Sequence, residues 1–372
     1  MNLKRHGFIA GIALTATLAL AACGSDNNET STSPTSGTSG GAAGGPTCAS
    51  GSLTAQGSSA QKNAMDEWIK GYQTACKDAK IDYQPTGSGA GITAFSGGTA
   101  DFAGSDSALK DGEETTKATA RCGGAPALNL PMVTGPIAIA YNLDGVKDLQ
   151  LKPATLAKIF GGSITKWDDA AIKADNPSAT LPAAPILAVH RSDSSGTTDN
   201  FTGYLDKAAA GTWTFAKDKV WKAPGGQAEK GSDGVAGAIK KSAGAIGYVE
   251  WSFVKANSLS SAKIYNGAGE YTALTGEAAG KTIAGAKVTG TGDDLKLTID
   301  YGTKEAGAYP IVLVTYEIVC SKGTAADKLA LVKGFLGYTA STDGQKLLDK
   351  LGYAPLPESV RTKVDASIKN LA

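Results

Sequence analysis

The sequence predicts an α/β protein built from two lobes that flank a ligand-binding cleft. Three observations indicate this fold class. The chain has 372 residues, and a single hydrophobic core rarely extends beyond about 250 to 300 residues. Short apolar strands alternate with amphipathic helices, which is typical of a mainly parallel sheet flanked by helices. Glycine contributes 48 residues, so many turns must bring the backbone close to a neighbour or a ligand.

Composition and charge exclude several classes of function. Hydrophobic residues make up 42% and charged residues 19% of the chain, which is typical of a globular protein. The 36 basic and 35 acidic residues nearly cancel, so no nucleic-acid partner is expected. The two histidines are His6 and His190, and His6 falls in a predicted leader. We therefore expect no His-ligated metal and no cofactor, and a serine hydrolase would depend on His190 alone.

The leader is a predicted export signal that spans residues 1–23. Lys4 and Arg5 precede an apolar run that is too short to span a bilayer. The run ends in the letters LAAC at Cys23, which resembles the bacterial lipobox, whose cysteine is acylated. We expect Cys23 to anchor the protein by lipid on the outer face of the cytoplasmic membrane. The alternative is an ordinary signal peptide cut near Ala22.

Residues 24–47 predict a flexible tether. They are almost entirely Gly, Ser, Thr, Ala, Asn, Asp and Pro, with no large apolar residue that could enter a core. Such a tether lets a lipid-linked globular part reach a partner in the membrane.

Four cysteines follow the leader, namely Cys48, Cys76, Cys122 and Cys320. An even number in an exported protein indicates two disulfides. Of the three possible pairings we favour Cys48 with Cys76, because a strand followed by an antiparallel helix brings the start of the strand beside the end of the helix. Cys122 with Cys320 then follows by elimination. No CxxC spacing supports the alternative of a thiolate metal site.

The globular part begins with two strand-turn-helix units. A strand at 52–55 precedes a helix at 61–77, whose apolar residues recur at i, i+3, i+4 and i+7. A strand at 81–84, a glycine-rich turn and a helix from Ile92 repeat this form. Further apolar strands are predicted at 101–103, 137–141, 186–189, 246–249 and 311–319.

The middle of the chain is long enough to form a lobe of its own. We expect one lobe from residues 48–140 together with 307–372, and a second lobe from residues 141–306. The chain would then cross between the lobes near Tyr141 and near Tyr309, which makes a hinge with a cleft. Ligands of open α/β sheets bind beyond the carboxyl ends of the strands.

Three strand-to-helix turns have the character of an anion site. Each offers hydroxyl groups and free backbone N–H groups at a helix start, where the helix dipole is positive. Glycine lets a ligand approach the backbone. The alternative is that their Ser and Thr residues only cap the helices. The three turns are Gly57-Ser58-Ser59, residues 87–91 and residues 191–198.

Two charged residues near these turns refine the prediction. The guanidinium group of Arg191 can bind an anion through two parallel hydrogen bonds, with Asp193 as its salt-bridge partner. The alternative is that Arg191 forms only a surface salt bridge. Asp106 follows a predicted strand, and the alternative is a cap for a helix at Ala108 and Leu109. A carboxylate repels an anion unless that anion donates a proton. Asp106 therefore favours phosphate over sulfate, by roughly 3 to 5 kcal/mol if the charge is buried.

At this point the residues resemble a known family, the phosphate-binding receptors of Pst-type ABC phosphate importers. The resemblance runs from about Ser52 to the C-terminus. It implies a two-lobe periplasmic-binding-protein fold (type II) with the cleft at the hinge, and a monomeric receptor without catalysis. It also implies inorganic phosphate as ligand, and the permease and ATPase subunits of the importer as partners. The segments are TGSGAGITAFSGGTADFAGSDSAL at 86–109, IFGGSITKWDDAAI at 159–172, RSDSSGTTDNFTGY at 191–204, GSDGVAGAIKKSAGAIG at 231–247 and LGYAPLPESV at 351–360.

The resemblance also assigns the site residue by residue. Asp106 matches the carboxylate that accepts a proton from the ligand, and Asp193 matches the partner of the phosphate-binding arginine. Ser59 falls where many members have Thr, and Ala60 falls where many members have Phe and contribute a backbone N–H. The implied phosphate ligands are Ser59, Ala60, Ser88, Asp106, Arg191, Ser195, Gly196 and Thr197.

Rival functions lack their motifs. A secreted hydrolase with His190 as base has no GxSxG elbow, and no Gly-x-x-x-x-Gly-Lys-Ser/Thr loop is present. The spacing of Gly87, Gly89 and Gly91 is not the GxGxxG of dinucleotide-binding proteins. A receptor for sulfate or molybdate is opposed by Asp106. A phosphate sensor or adhesin that uses the same cleft stays open as an alternative.

Overall fold

The computed structural model describes residues 45–372. The predicted leader, the acylation site Cys23 and tether residues 24–44 lie outside this range. The described part contains fourteen strands and twelve helices. The strands are β1 Gly51–Gly57, β2 Ala79–Gln84, β3 Phe102–Ser105, β4 Ala127–Asn142, β5 Gln150–Leu151, β6 Leu187–Arg191, β7 Gln227–Glu229, β8 Ala245–Glu250, β9 Ser260–Ser261, β10 Lys263–Tyr265, β11 Tyr271–Thr272, β12 Lys287–Val288, β13 Leu297–Thr298 and β14 Val312–Cys320.

Several of the helices begin directly after a strand or within a few residues of one. The helices are α1 Lys62–Ala75, α2 Ser88–Ser96, α3 Glu113–Arg121, α4 Pro153–Phe160, α5 Ala170–Asp175, α6 Gly196–Ala208, α7 Gly231–Lys241, α8 Trp251–Asn257, α9 Gly276–Ala284, α10 Ala326–Ala340, α11 Thr342–Leu351 and α12 Glu358–Asn370. Within residues 45–372, no helix combines the length and the apolar character needed to cross a bilayer.

A nine-stranded sheet organises the molecule. Its order is β2-β1-β3-β14-β4-β8-β6-β7, and β9 pairs beside β4. The two ends of the sheet are parallel, as predicted, because β1 pairs in parallel with β2 and β3, and β6 with β7 and β8. The centre differs from the prediction, since β14 runs antiparallel to both β3 and β4, and β4 antiparallel to β8. The centre is antiparallel because β4 leads out of the first half of the sheet and β14 returns to it, so these two strands run in opposite directions.

The long strand β4 takes part in both halves of the sheet. Its residues 127–136 pair with β14, and its residues 137–142 pair with β8. Every residue of β4 except Asn142 is buried, so both faces of the strand are covered by other parts of the protein. The predicted hinge therefore falls in the middle of a buried strand, where β4 changes its partner between Pro136 and Ile137.

Two large hydrophobic cores flank this hinge. The first core contains Trp68, Phe102 and Phe335, and the second contains Trp167 and Phe201. Helix α1 contributes one face to the first core, as its periodicity predicts. The predicted lobe boundaries stay a prediction.

The hairpin formed by β12 and β13 departs from a simple path with two crossings. Its number range falls in the predicted second lobe, yet Leu295 packs in the first core. The N–H of Leu295 donates to the carbonyl of Asn129 in β4, and the Asn129 N–H donates to Asp294 Oδ1 at 2.8 Å. This segment therefore attaches to the first half before the chain enters β14.

The two predicted disulfides are confirmed. Cys48 pairs with Cys76, and Cys122 pairs with Cys320. Cys76 follows the last residue of α1 and Cys48 lies just before β1, as expected for a strand and an antiparallel helix. The second bridge ties the end of α3 to the end of β14.

Candidate functional site

The three predicted turns meet at the carboxyl ends of the parallel strands. The N–H of Gly89, in the first turn of α2, donates to the carbonyl of Ser194 at 3.0 Å. The N–H of Gly196, at the start of α6, donates to Ser88 Oγ at 3.1 Å. Helix α2 begins at Ser88 rather than at Ile92 as predicted, and this places the Ser88 hydroxyl at the junction of the two turns.

Asp106 lies at the centre of this junction. It is 3% exposed. Its Oδ1 accepts hydrogen bonds from the hydroxyls of Ser58 at 2.5 Å and Thr315 at 2.8 Å, and its Oδ2 accepts one from Ser88 at 3.1 Å. The alternative that Asp106 caps a helix at residues 108–109 is wrong, because no helix forms there. Its carboxylate instead turns inward to three hydroxyl groups.

The environment of Asp106 raises its pKa to about 6. Burial is the main cause, and the nearby charge of Glu250 adds to it. Hydrogen bonds from Ser58 and Thr315 and the charge of Arg191 oppose the rise in pKa. A carboxyl group whose pKa lies near neutrality responds to whether a neighbouring ligand carries a proton.

Arg191 is held by Asp193 in a fixed orientation. Nε donates to Asp193 Oδ1 at 2.7 Å and Nη2 donates to Oδ2 at 2.5 Å. The alternative of a surface salt bridge is wrong, since only 2% of the Arg191 side chain is exposed. Burial acts to lower the pKa of Arg191, but the hydrogen bond and charge of Asp193 outweigh it and raise the pKa. Nη1 is left facing Thr197 Oγ1 at 3.4 Å and Ser232 Oγ at 3.5 Å.

The first turn of α6 adds backbone donors beside Arg191. Ser195 caps the helix, because its Oγ accepts from the N–H of Thr198 at 3.3 Å. The capping alternative is therefore correct for the Ser195 side chain. The N–H of Thr197 lies in the first turn, where a helix supplies no acceptor of its own. Its position at the positive end of the dipole favours an anion.

Gly196 has no room for a side chain. A Cβ at this position would lie 2.5 Å from Asp106 Cβ and 2.8 Å from Ser88 Oγ. The two halves therefore approach each other at van der Waals distance here. Only glycine allows α6 to present its first turn so close to Asp106.

The turn after β1 places Ser59 and Ala60 at the same edge, but with different partners from those expected. Ser59 Oγ lies 3.0 Å from Ser232 Oγ and accepts from the Ser232 N–H at 3.1 Å. The N–H of Ala60 donates to Ser58 Oγ at 3.0 Å. Ser59 thus contacts the first turn of α7, and the hydroxyl that reaches Asp106 belongs to Ser58.

Four functional candidates were missed by sequence reasoning: Ser58, Ser232, Glu250 and Thr315. Ser58 and Ser232 lie in segments that were recognised, but which hydroxyl faces the cleft depends on the turn geometry. Thr315 is a fully buried polar residue within the apolar strand β14, which was a usable signal. Glu250 follows a predicted strand directly, at a position where sheet ligand sites occur.

Glu250 is a second buried carboxylate at this site, with 0% exposure. Its Oε1 accepts a hydrogen bond from Thr197 Oγ1 at 2.5 Å. Its Oε2 is buried and has no hydrogen-bond partner among residues 45–372.

Among residues 45–372, the hydrogen-bond partners of His190 are backbone carbonyls rather than a serine hydroxyl. Its ring stacks on Trp221 with centroids 5.0 Å apart, and its nitrogens lie 3.1 Å and 3.2 Å from the backbone carbonyls of Arg191 and Gly225. This geometry opposes the hydrolase alternative. In the described part of the chain, no cluster of three His, Cys, Asp or Glu side chains could hold a metal ion.

The chain matches one family model and is similar in sequence to several known proteins. A family model described as a PBP superfamily domain matches residues 30–343. The chain is 43% identical to phosphate-binding protein PstS 3 of Mycobacterium tuberculosis over 378 residues, covering 100% of both chains. It is 45% identical to PstS 3 of Mycobacterium leprae, again over 100% of both.

Solved structures share the fold at lower identity. A phosphate-binding protein from Stenotrophomonas maltophilia has a TM-score of 0.67 at 20% identity, covering 85% of this chain and 94% of that one. A putative phosphate ABC transporter substrate-binding protein from Clostridium perfringens, with bound phosphate, has a TM-score of 0.60 at 19% identity, covering 82% of this chain and 100% of that one.

The raised pKa of Asp106 predicts a pH-dependent loss of stability in the ligand-free protein. The folded state binds a proton more tightly than the unfolded state, so the contribution is complete below about pH 4 and is lost as the pH rises to about 6. A shift of this size corresponds to roughly 3 kcal/mol. Relative to Asp106→Asn, the wild type should therefore lose up to that amount between pH 4 and pH 6.

Urea denaturation of both proteins from pH 4 to pH 8 measures the difference in unfolding free energy. Asp111→Asn is the matched control, because the Asp111 side chain is 96% exposed. Parallel pH profiles for wild type and Asp106→Asn would show that the carboxyl titrates normally.

Proposed function

The chain belongs to the PstS family of phosphate-binding proteins, and from this premise we propose that its cleft binds inorganic phosphate as an extracytoplasmic receptor. The receptor delivers the ion to an ABC-type phosphate permease. The observation that carries the proposal is the meeting of Asp106, Arg191 and the first turn of α6 at one buried point.

These groups match the charge and the hydrogen-bonding pattern of phosphate. Arg191 Nη1 and the N–H of Thr197 donate to unprotonated oxygens. A carboxylate accepts about four hydrogen bonds, and protein hydroxyls occupy three of these positions on Asp106. One position on Oδ2 is left for a P–OH group. The proposed ligands are Ser59, Ala60, Ser88, Asp106, Arg191, Ser195, Gly196 and Thr197, with Asp193 as support, and Ser58 and Ser232 join them.

Asp106 also gives the site its selectivity. Phosphate carries a proton at neutral pH and donates it to the carboxylate. Sulfate carries none, so it would leave a buried carboxylate facing a bare anion, at roughly 3 to 5 kcal/mol. A penalty of this size makes the dissociation constant for sulfate more than about a hundredfold larger than that for phosphate.

Contacts across the cleft support closure around the ion. Besides the contact between Ser88 and Gly196, Lys219 Nζ donates to both carboxylate oxygens of Glu114, at 2.7 Å and 2.9 Å. The Lys219 side chain is only 4% exposed. The two lobes therefore enclose the ligand, and reopening at the permease requires these contacts to break.

The remaining parts of the proposal concern anchoring and assembly. Cys23 carries the lipid that holds the receptor on the outer face of the cytoplasmic membrane, and residues 24–47 tether the globular part. The receptor acts as a monomer, without catalysis, metal or cofactor. Mass spectrometry of the mature N-terminus tests the acyl group, and binding to the permease in proteoliposomes tests delivery.

Calorimetric titration with phosphate, with sulfate as competitor, tests the ligand and its selectivity. The affinity of the wild type for phosphate should exceed its affinity for sulfate by at least about a hundredfold. In Asp106→Asn the amide donates to sulfate, so the discrimination should fall at least tenfold, whereas Asp111→Asn should keep it. Equal rejection of sulfate by Asp106→Asn would refute the role of the carboxylate, and a preference for sulfate in the wild type would refute phosphate as the ligand.

Arg191→Lys tests the fixed fork. A lysine keeps the charge but cannot pair with Asp193 through two parallel bonds while a third nitrogen faces the ligand. We expect the dissociation constant for phosphate to rise about 10- to 100-fold. Arg361→Lys, on α12 away from the cleft, should bind as the wild type does. An unchanged dissociation constant for phosphate in Arg191→Lys would show that the guanidinium group of Arg191 does not bind the ligand.

Gly196→Ala tests closure. The added Cβ would collide with Asp106, so the lobes cannot approach and the affinity for phosphate should fall at least 100-fold while the fold persists. Gly237→Ala is the matched control, since it places the same methyl group on helix α7 with no atom within 4 Å. Titration and thermal melting of both variants decide the outcome, and wild-type affinity in Gly196→Ala would contradict the tight contact.

A further inference from the structure

Two neighbouring residues of α6 form hydrogen bonds to the segment that follows β3, on the other side of the cleft. Asn200 Nδ2 donates to the backbone carbonyl of Asp106 at 2.7 Å. Asp199 Oδ2 accepts a hydrogen bond from Ser107 Oγ at 2.8 Å. All four residues are buried, so both hydrogen bonds are shielded from water. We call these two contacts the clasp.

The clasp and the anion site use different atoms of Asp106. The carboxylate oxygens of Asp106 accept from three hydroxyl groups at the anion site, whereas its backbone carbonyl accepts from Asn200. Ser107, Asp199 and Asn200 are not among the proposed phosphate ligands. The clasp therefore forms through contacts between the two halves alone, and it adds to the closing contacts that involve the ion.

The amide group of Asn200 is held in one orientation. Its Oδ1 accepts from the hydroxyl of Tyr301 at 2.6 Å, and its Nδ2 also donates to the carbonyl of Gly196 at 2.8 Å. An asparagine amide has two N–H donors and one acceptor oxygen. Here both N–H groups meet carbonyls and the oxygen meets a hydroxyl, whereas a flipped amide would place its oxygen against two carbonyl oxygens. The donor is thus oriented before it meets Asp106.

Tyr301 is fixed to the same helix as Asn200. Its ring packs edge to face on Tyr204 of α6, with centroids 6.4 Å apart. It also packs close to Gly203, where an added Cβ would lie 3.3 Å from Tyr301 Cε2. Because the ring of Tyr301 packs on α6, its hydrogen bond to Asn200 does not depend on the position of Asp106.

The second contact of the clasp has a charged acceptor. Lys217 Nζ lies 3.5 Å from the same Asp199 Oδ2 that accepts from Ser107. Asp199 Oδ1 is buried and has no hydrogen-bond partner among residues 45–372. A hydrogen bond to an ionised group is about twice as strong as one between neutral groups. The Ser107 hydroxyl therefore stabilises Asp199 only while the two halves are close together.

We propose that Asn200 and Asp199 hold the two halves together through the clasp and thereby set how long phosphate stays bound, with Tyr301 as a positioning residue for Asn200. The inference rests on the proposed function and extends it from the identity of the ligand to the rate of its release. Before phosphate leaves, the halves must separate and the clasp must break. Loss of the clasp should therefore raise the dissociation rate and leave the association rate nearly unchanged.

Three substitutions remove single parts of this arrangement. Asn200→Ala removes the first contact and keeps a residue of high helix propensity in α6. Ser107→Ala removes the second contact. Tyr301→Phe removes only the hydroxyl that holds the amide. Tyr204→Phe is the matched control, because Tyr204 is a buried tyrosine on α6 whose hydroxyl has no hydrogen-bond partner within residues 45–372.

Rapid mixing of the protein, loaded with radiolabelled phosphate, into excess unlabelled phosphate measures the dissociation rate. We expect this rate to rise about 10-fold in Asn200→Ala and in Ser107→Ala, and about threefold in Tyr301→Phe. Tyr204→Phe should release phosphate at the wild-type rate. The association rate, from the concentration dependence of binding, should change by less than about twofold in every variant.

A double-mutant cycle separates positioning from a general loss of stability. The hydroxyl of Tyr301 acts on release only through the amide of Asn200. Tyr301→Phe should therefore have no further effect on the dissociation rate when Asn200 is already alanine. A general destabilisation by phenylalanine would instead raise the rate by the same factor in both backgrounds, and this result would overturn the role of Tyr301.

The outcomes also separate the inference from the proposed function. Phosphate binding by the wild type, with unchanged dissociation rates in Asn200→Ala and Ser107→Ala, would overturn the clasp and leave the proposed function intact. Equal acceleration in Tyr301→Phe and Tyr204→Phe would overturn the positioning role. An absence of phosphate binding in every protein would overturn the proposed function itself. If Asn200→Ala does not fold, Ser107→Ala still decides whether the clasp controls release.

Discussion

The site depends on a buried carboxylate that is packed against the first turn of a helix from the other half of the molecule. Asp106 contributes the carboxylate, Gly196 contributes the backbone, and the Ser88 hydroxyl joins the two. Buried polar groups are costly when they lack partners. The groups that bring the halves together are the same groups that we propose as ligands of the ion, so the geometry of this contact links closure to recognition.

The hinge and the floor of the site are made from the same strands. Thr315 of β14 supports Asp106, and Glu250 at the end of β8 supports Thr197. Both strands pair with β4, which passes between the halves. Under the proposed function, a change in the angle between the halves would therefore act directly on the hydrogen bonds of Asp106 and Thr197.

Local patterns were enough to predict the long strands, helix α1 and the disulfides, but not the two- and three-residue strands such as β5, β10 and β12, and the assignment of the site residues stays a prediction. The anion-binding character predicted for the turn at 191–198 followed from its serine-rich sequence beside Arg191, and the structure buries the Arg191 side chain against Thr197 in the first turn of α6. Side-chain partners could not be predicted, because they depend on where separate turns meet. Ser58 rather than Ser59 reaches Asp106 for that reason, and Glu250 becomes a site residue only through Thr197, 53 positions earlier.

The β12–β13 hairpin has a mechanical consequence. If only the neighbouring strands β4 and β14 joined the two halves, the halves could twist about the axis of the strands as well as bend. Leu295 and Asp294 fasten a third length of chain to the first half, beside rather than along the strand pair. A twist about the axis of the strands would therefore strain the contacts of Leu295 and Asp294. A bending motion about an axis that passes through these contacts would not. The β12–β13 hairpin consequently limits the relative motion of the two halves to movements that keep Leu295 and Asp294 attached to the first half.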